Sequence, residues 1–77
     1  MEIDHESATP VYEQMAAILR TMIETGEVPP DRPLPSVKVM MQTWGVSQGT
    51  AERAVRILKA EGLVRTVMGK GVFVTER

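Results

Sequence analysis

The sequence predicts a mainly α-helical domain closed by a small β-hairpin, and three observations carry that expectation. Apolar residues recur at helical spacing in three separate stretches before residue 62. The pattern then changes, in "LVRTVMGKGVFVTER", to two β-rich runs around a glycine pair. And 77 residues suffice for one small hydrophobic core and no more.

Residues 1–9, "MEIDHESAT", read as an acidic N-terminal tail, residues 10–75 as the folded domain and residues 76–77 as its C-terminal end. Thr9 followed by Pro10 predicts a helix start, a hydroxyl cap and then a proline at the first helical position, where its missing N–H is harmless. Tyr12, Met15, Ile18, Leu19, Met22 and Ile23 supply the apolar stripe of this helix, and Gly26 its stop. "EVPPDRPLP" holds four of the five prolines, which makes residues 27–35 an extended connector with a short edge strand near Arg32–Leu34.

Ser36 is placed to cap a second helix over 37–44, with Val37, Met40, Met41 and Trp44 on its buried side and Gly45 at its end. Only Val46 separates that glycine from Ser47, the next hydroxyl cap. A third helix follows from about Gln48 to Glu61 and buries Ala51, Ala54, Val55 and Leu58, the i, i+3, i+4, i+7 pattern; Gly62 stops it. Two helices joined by so short a glycine-containing turn are a helix-turn-helix. The runs 63–68 and 72–75 flank Gly69-Lys70-Gly71 as a hairpin. A helix-turn-helix followed by a hairpin is a winged helix-turn-helix, here three helices plus a two- or three-stranded wing. Trp44, Phe73 and the six methionines are expected to fill the core.

Composition narrows the function. With no cysteine there is neither a disulfide nor a thiolate metal site, in keeping with a reducing cytosol. No apolar run approaches the roughly 18 residues of a membrane span, and the N-terminus lacks a signal-peptide pattern, so an intracellular, cytoplasmic protein is expected. The net charge of −1 conceals a segregation. Residues 1–31 hold seven acids against Arg20 alone, giving −6; residues 32–77 hold eight bases (Arg32, Lys38, Arg53, Arg56, Lys59, Arg65, Lys70, Arg77) against three acids, giving +5. Such asymmetry suggests a basic binding face, with chance in a short chain as the alternative. No enzyme, cofactor or metal is expected: a converging nucleophile, base and orienter are missing, His5 stands in a polar tail without companion ligands, and no phosphate loop or dinucleotide fingerprint occurs.

"PVYEQMAAILRTMIETGEVPPDRPLPS" followed by "WGVSQGTAERAVRILKAEGLVRTVMGKGVFV" resembles the GntR-type winged helix-turn-helix DNA-binding domain over roughly residues 10–74. The resemblance rests on the order of the Pro10-x-Tyr12 start, Leu34-Pro35-Ser36, Gly45-Val46-Ser47, Ala60-Glu61-Gly62-Leu63-Val64 and the wing Gly69-Lys70-Gly71-x-Phe73-Val74. It implies a bacterial transcriptional regulator, a repressor, that binds a palindromic operator in double-stranded DNA as a homodimer. It also implies a separate effector domain; the chain is expected to be the DNA-binding module alone, excised from a longer regulator or naturally short. The alternative is a winged helix serving as an architectural DNA-binding factor or a protein-interaction module, for example of a mobile element. The chain departs from the family pattern where an acid and an arginine usually follow Leu-Pro-Ser (here Val37 and Lys38), and where arginines are favoured on the third helix (here Gln48 and Glu52, with Arg53 just beyond). Thr50 and Ala54 keep the pattern.

The candidate contacts follow. Gln48, Glu52 and Arg56 lie at successive i+4 steps with Gly49 and Arg53 beside them, a polar ridge opposite the buried stripe. In a helix-turn-helix, residues early in the second helix of the motif reach base edges in the major groove. Gln48 suits adenine, Arg53 suits guanine O6 and N7, and Glu52 suits cytosine N4; Gly49 would permit close approach to the duplex. A surface Glu52–Arg56 ion pair is the competing account. Ser36 and Ser47 serve as caps or phosphate contacts, and Thr50 as a phosphate contact or a hydroxyl folded back on the preceding turn. Lys38 is a phosphate contact or a solvated lysine. Gly69, Lys70 and Gly71 form a wing tip for the minor groove or its phosphates, Lys70 otherwise blocking a sheet edge, and Arg65 supports the wing's phosphate contacts.

Overall fold

The computed structural model describes residues 2–76; Met1, counted above with the core methionines, and Arg77, counted with the bases, lie outside the described residues. The element order is α1 (Val11–Glu24), α2 (Val37–Trp44), α3 (Gln48–Ala60), β1 (Val64–Val67) and β2 (Gly71–Val74), the predicted mainly helical winged helix-turn-helix. Helices α1 and α2 both pack on α3, and β1 follows directly from it.

The start of α1 differs from the sequence expectation. Pro10, not Thr9, is the N-cap residue, with φ −55° and ψ 145° and no side-chain capping bond. The preset ring angle delivers the chain into the helix, and Gln14 does the tethering instead. Its Nε2 donates to the carbonyls of Thr9 and Asp4 at 2.8 Å each, and its Oε1 accepts from Asp4 N at 2.8 Å. The acidic tail is thereby folded back on α1, with Ile3 packed against the core.

The other two helices begin as expected. Ser36 Oγ accepts from Val39 N at 3.1 Å, and Ser47 Oγ accepts from Thr50 N at 3.1 Å, each satisfying one of the orphan donors of a helix start. Between them Gly45 adopts φ +66°, a left-handed conformation that a Cβ would strain. It turns the chain at once, and buried Val46 pins the turn to the core. At the end of α3, Gly62 N donates to Lys59 O and Leu63 N to Leu58 O, both at 3.0 Å. This paired return of bonds reverses the chain into β1.

The wing is a two-stranded antiparallel sheet in the register Val64↔Val74, Arg65↔Phe73, Thr66↔Val72 and Val67↔Gly71. The predicted third strand is reduced to one bridge, Pro33↔Phe73. Leu34 N donates to Val72 O, Val74 N to Arg32 O and Asp31 N to Val74 O, each at 2.9 Å. Pro33 occupies a non-hydrogen-bonded pair, where its nitrogen faces away from β2, so the proline breaks no bond of this short pairing, which ties the connector to the open edge of β2.

Met15, Leu19, Met40, Leu58 and Val74 are the largest fully buried side chains, so α1 contributes two and α2, α3 and β2 one each, and β1 adds buried Val64. The expectation that all the methionines are core fails at two described positions. Met41 is exposed, because α2 is a short helix that buries only Met40, and Met68 is 96% exposed, because it sits at the hairpin tip with no layer opposite it. Trp44 and Phe73 are half-buried. Arg20 of α1 clamps Glu61 at the end of α3 with two bonds of 2.9 and 2.7 Å. The hydrogen bonds from Arg20 hold the Glu61 carboxyl below the usual glutamate range. Among the described residues no helix is long and apolar enough to cross a membrane.

Candidate nucleic-acid interface

Helix α3 is the centre of the candidate interface because it buries one side and bares the other. Ala51, Ala54, Val55 and Leu58 face the core. Each residue turns the helix by about 100°, so the opposite side is centred on Gly49 and Ala60, with Arg53 on one shoulder and Arg56 on the other. All four are exposed. The ridge predicted from spacing therefore exists, but its two arginines diverge.

Arg56 turns toward the wing. There α3, the start of α2 and the hairpin enclose an open trough of about 580 Å³. Its floor is apolar, formed by Leu34, Val37, Met40, Val55 and Val72, and its rim carries Arg56, Lys59 and Lys70 together with Ser36 and Glu52. Three cations from two elements thus converge, and the described residues offer none of them an ion pair: the ion pairs there are Arg20–Glu61 and Arg65–Asp31. Lys59 was not singled out from the sequence. Its signal was its place one turn beyond Arg56, which spacing alone reads as a solvated lysine.

Arg53 turns the other way, toward α1, where its guanidinium carbon lies 3.7 Å from the centroid of the Tyr12 ring. Tyr12 is half-buried; the sequence had placed it in the apolar stripe and the Pro10-x-Tyr12 start, and not among the candidate contacts. Gln48 Nε2 donates to Glu52 Oε2 at 3.4 Å, so Glu52 is engaged by Gln48 and not by Arg56. The hydroxyl of Thr50 turns back to the N-cap residue one turn earlier and not to a backbone carbonyl. It accepts a 3.0 Å bond from Ser47 Oγ, and this couples the cap to the first turn of α3. A Cβ built on Gly49 would meet nothing within 4 Å, so packing within the domain does not require a glycine there.

Ser36 both caps α2 and lines the trough, and Lys38 is exposed in the same first turn. At the wing tip Gly69 and Gly71 take φ +77° and +124°, which only glycine adopts freely, and they present exposed Lys70 between them. Arg65 is not brought to the trough. Thr66 lines it, and alternation along β1 sends Arg65 to the other face of the hairpin, where its Nη2 is 3.9 Å from Asp31 Oδ1.

A bared third helix, a capped second helix leading into it and a hairpin beside it define the class: a winged helix-turn-helix domain. The family model of the bacterial regulatory proteins of the gntR family matches residues 11–74, and the chain belongs to that family. It is 38% identical over 76 residues to the transcriptional repressor NagR of Bacillus subtilis, spanning 99% of this chain and 31% of that protein, and 30% identical to the repressor YtrA of the same organism, of which it spans 58%. The chain thus spans between about a third and three-fifths of these relatives. Among solved structures it superimposes on the AraR DNA-binding domain in complex with operator ORX1 with a TM-score of 0.88 at 30% identity, covering 97% of this chain and 96% of that one. YtrA from Sulfolobus acidocaldarius, a GntR-family transcription factor, gives a TM-score of 0.88 at 33% identity, with 99% of this chain and 80% of that one covered.

Proposed function

We propose that this domain binds double-stranded DNA sequence-specifically, as the DNA-reading part of a cytoplasmic transcriptional repressor acting at the nucleoid. The observation that carries the reading is the trough between α3 and the wing, with Arg56, Lys59 and Lys70 on its rim and no described carboxylate paired to them. A helix in the major groove and a hairpin tip at the adjacent minor groove are separated by one sugar-phosphate strand. The trough is where that strand runs, and unpaired cations on both banks are what its phosphates require.

In this arrangement Gln48, Gly49, Glu52 and Arg53 face base edges in the major groove. Ser36, Lys38, Ser47, Thr50 and Arg56 meet phosphates, as does Lys59. Gly69, Lys70 and Gly71 enter or line the minor groove, and Arg65 supports the wing from its far face through Asp31. The similar AraR domain forms a complex with its operator, which supports DNA as the partner. A module of this size buries on the order of 600–1,000 Å² of its surface on DNA, so a homodimer on a palindrome supplies the remaining affinity, and the relatives' greater length leaves room for an effector domain.

The test is selection of bound duplexes from a random library at low salt, followed by gel shifts against the selected half-site and its palindrome. A recovered consensus, with the palindrome bound more tightly, supports the reading. Failure to bind any duplex at low salt overturns it, and equal affinity for half-site and palindrome removes the dimer.

A further inference from the structure

An exposed arginine usually samples many rotamers, and a groove reader must surrender that freedom on binding. Arg53 is arranged differently. Tyr12 stands in the first turn of α1, and the packing of α1 on α3 brings its half-buried ring to 3.7 Å beneath the Arg53 guanidinium. No described acid pairs with Arg53. The distinction matters because an ion pair would occupy the N–H fork, whereas a ring stacked on the face leaves all five in-plane donors free.

We propose that Tyr12 is a positioning residue for DNA recognition: its ring holds the Arg53 guanidinium flat on the α1 shoulder of α3, with the donor edge free to make a bidentate contact to guanine O6 and N7. The proposal rests on the DNA-reading function above and adds to it a residue outside the helix-turn-helix. It also accounts for the divergence of the two arginines. Arg56 serves the strand in the trough, while Arg53 is held on the opposite shoulder, away from those phosphates.

The probe is the duplex that the wild-type chain selects from the random library, read by fluorescence anisotropy with wild type, Tyr12→Phe, Tyr12→Leu, Arg53→Ala and the double variant Tyr12→Leu/Arg53→Ala. Tyr12→Phe keeps the ring and is expected to bind as wild type does. Tyr12→Leu is expected to bind about fivefold more weakly, the upper range for a cation over an exposed ring, and to flatten the preference for guanine at one position. In the Arg53→Ala background, Tyr12→Leu should change nothing further, a dependence that a purely structural tyrosine would not show. Wild-type affinity in Tyr12→Leu, or effects of the two substitutions that simply multiply, overturns the proposal.

Should Tyr12→Leu fail to fold, proton NMR of the wild type decides the same question. The ring current of Tyr12 should shift the Arg53 side-chain protons upfield both free and on the duplex, and absence of that shift in either state overturns the proposal. A wild-type chain that selects no duplex removes the DNA reading and this proposal together. Independent action of the two residues in a chain that does select one removes the proposal alone.

Discussion

The trough cations give the sharpest test of how the domain holds DNA. Arg56, Lys59 and Lys70 are exposed and unpaired among the described residues, so replacing each with alanine should move the melting temperature little, within about 0.5 kcal/mol of stability. Their effect on binding should be large. Each phosphate neutralised on duplex DNA contributes a slope of about −0.9 to the dependence of log affinity on log salt. Over the tenfold range from about 1 M down to 0.1 M salt, that slope is worth roughly eightfold in affinity per contact. The triple variant should therefore bind about 500-fold more weakly at 0.1 M salt, and its slope should be shallower by about 2.7. Arg65→Ala, on the other face of the hairpin, should leave the slope unchanged. The assay is fluorescence anisotropy on the selected duplex from about 0.05 to 0.3 M salt, with circular dichroism melts as the control for folding. A triple variant that melts like wild type and keeps the wild-type slope would show that no strand crosses the trough.

Three further outcomes are expected. Gly49→Ala should stabilise the free domain, by up to about 1 kcal/mol on helix propensity, because the added methyl meets nothing. It should weaken DNA binding by about one base contact, 1–3 kcal/mol; melts and anisotropy that move in the same direction would refute close approach there. Leu58→Ala, at a fully buried position, should cost about 2–5 kcal/mol and lower the melting temperature by more than about 10 °C, read by calorimetry. Glu61→Gln should lower the melting temperature at neutral pH by removing the clamp to Arg20. The folded-state pKa of Glu61 is depressed, so its contribution is present above the usual glutamate value and is lost as pH falls through the folded value. The wild-type advantage should thus be full above the usual glutamate value of about 4.3 and shrink as pH falls below it; an advantage that stays undiminished as the pH falls below that value would refute the assignment.

Local chemistry was legible where backbone capping and turn geometry within a few residues dictate it. Ser36 and Ser47 were recognisable as caps because the N–H they serve is three positions on. Gly45 and Gly62 were recognisable as stops because the left-handed turn is a property of one residue. The Thr9 cap failed because Gln14, through tertiary-like bonds to Asp4 ten positions away, took over the start of α1. Met41 and Met68 failed because apolarity states a preference for burial and not the presence of a layer to bury against.

The amino-acid order by itself determined the sequence of elements, the buried stripe of α3 and the segregation of bases into the second half, since each is a matter of period, cap or count. What the tertiary structure decided was direction. Arg53 and Arg56 are near neighbours on one helix, and nothing in their spacing says that one will lie on Tyr12 and the other beside Lys70. That is settled by α1 packing along one flank of α3 and the hairpin along the other. Those dockings join residues about 40 positions apart and about 15 apart, and they follow from burying a shared core, which no local pattern encodes.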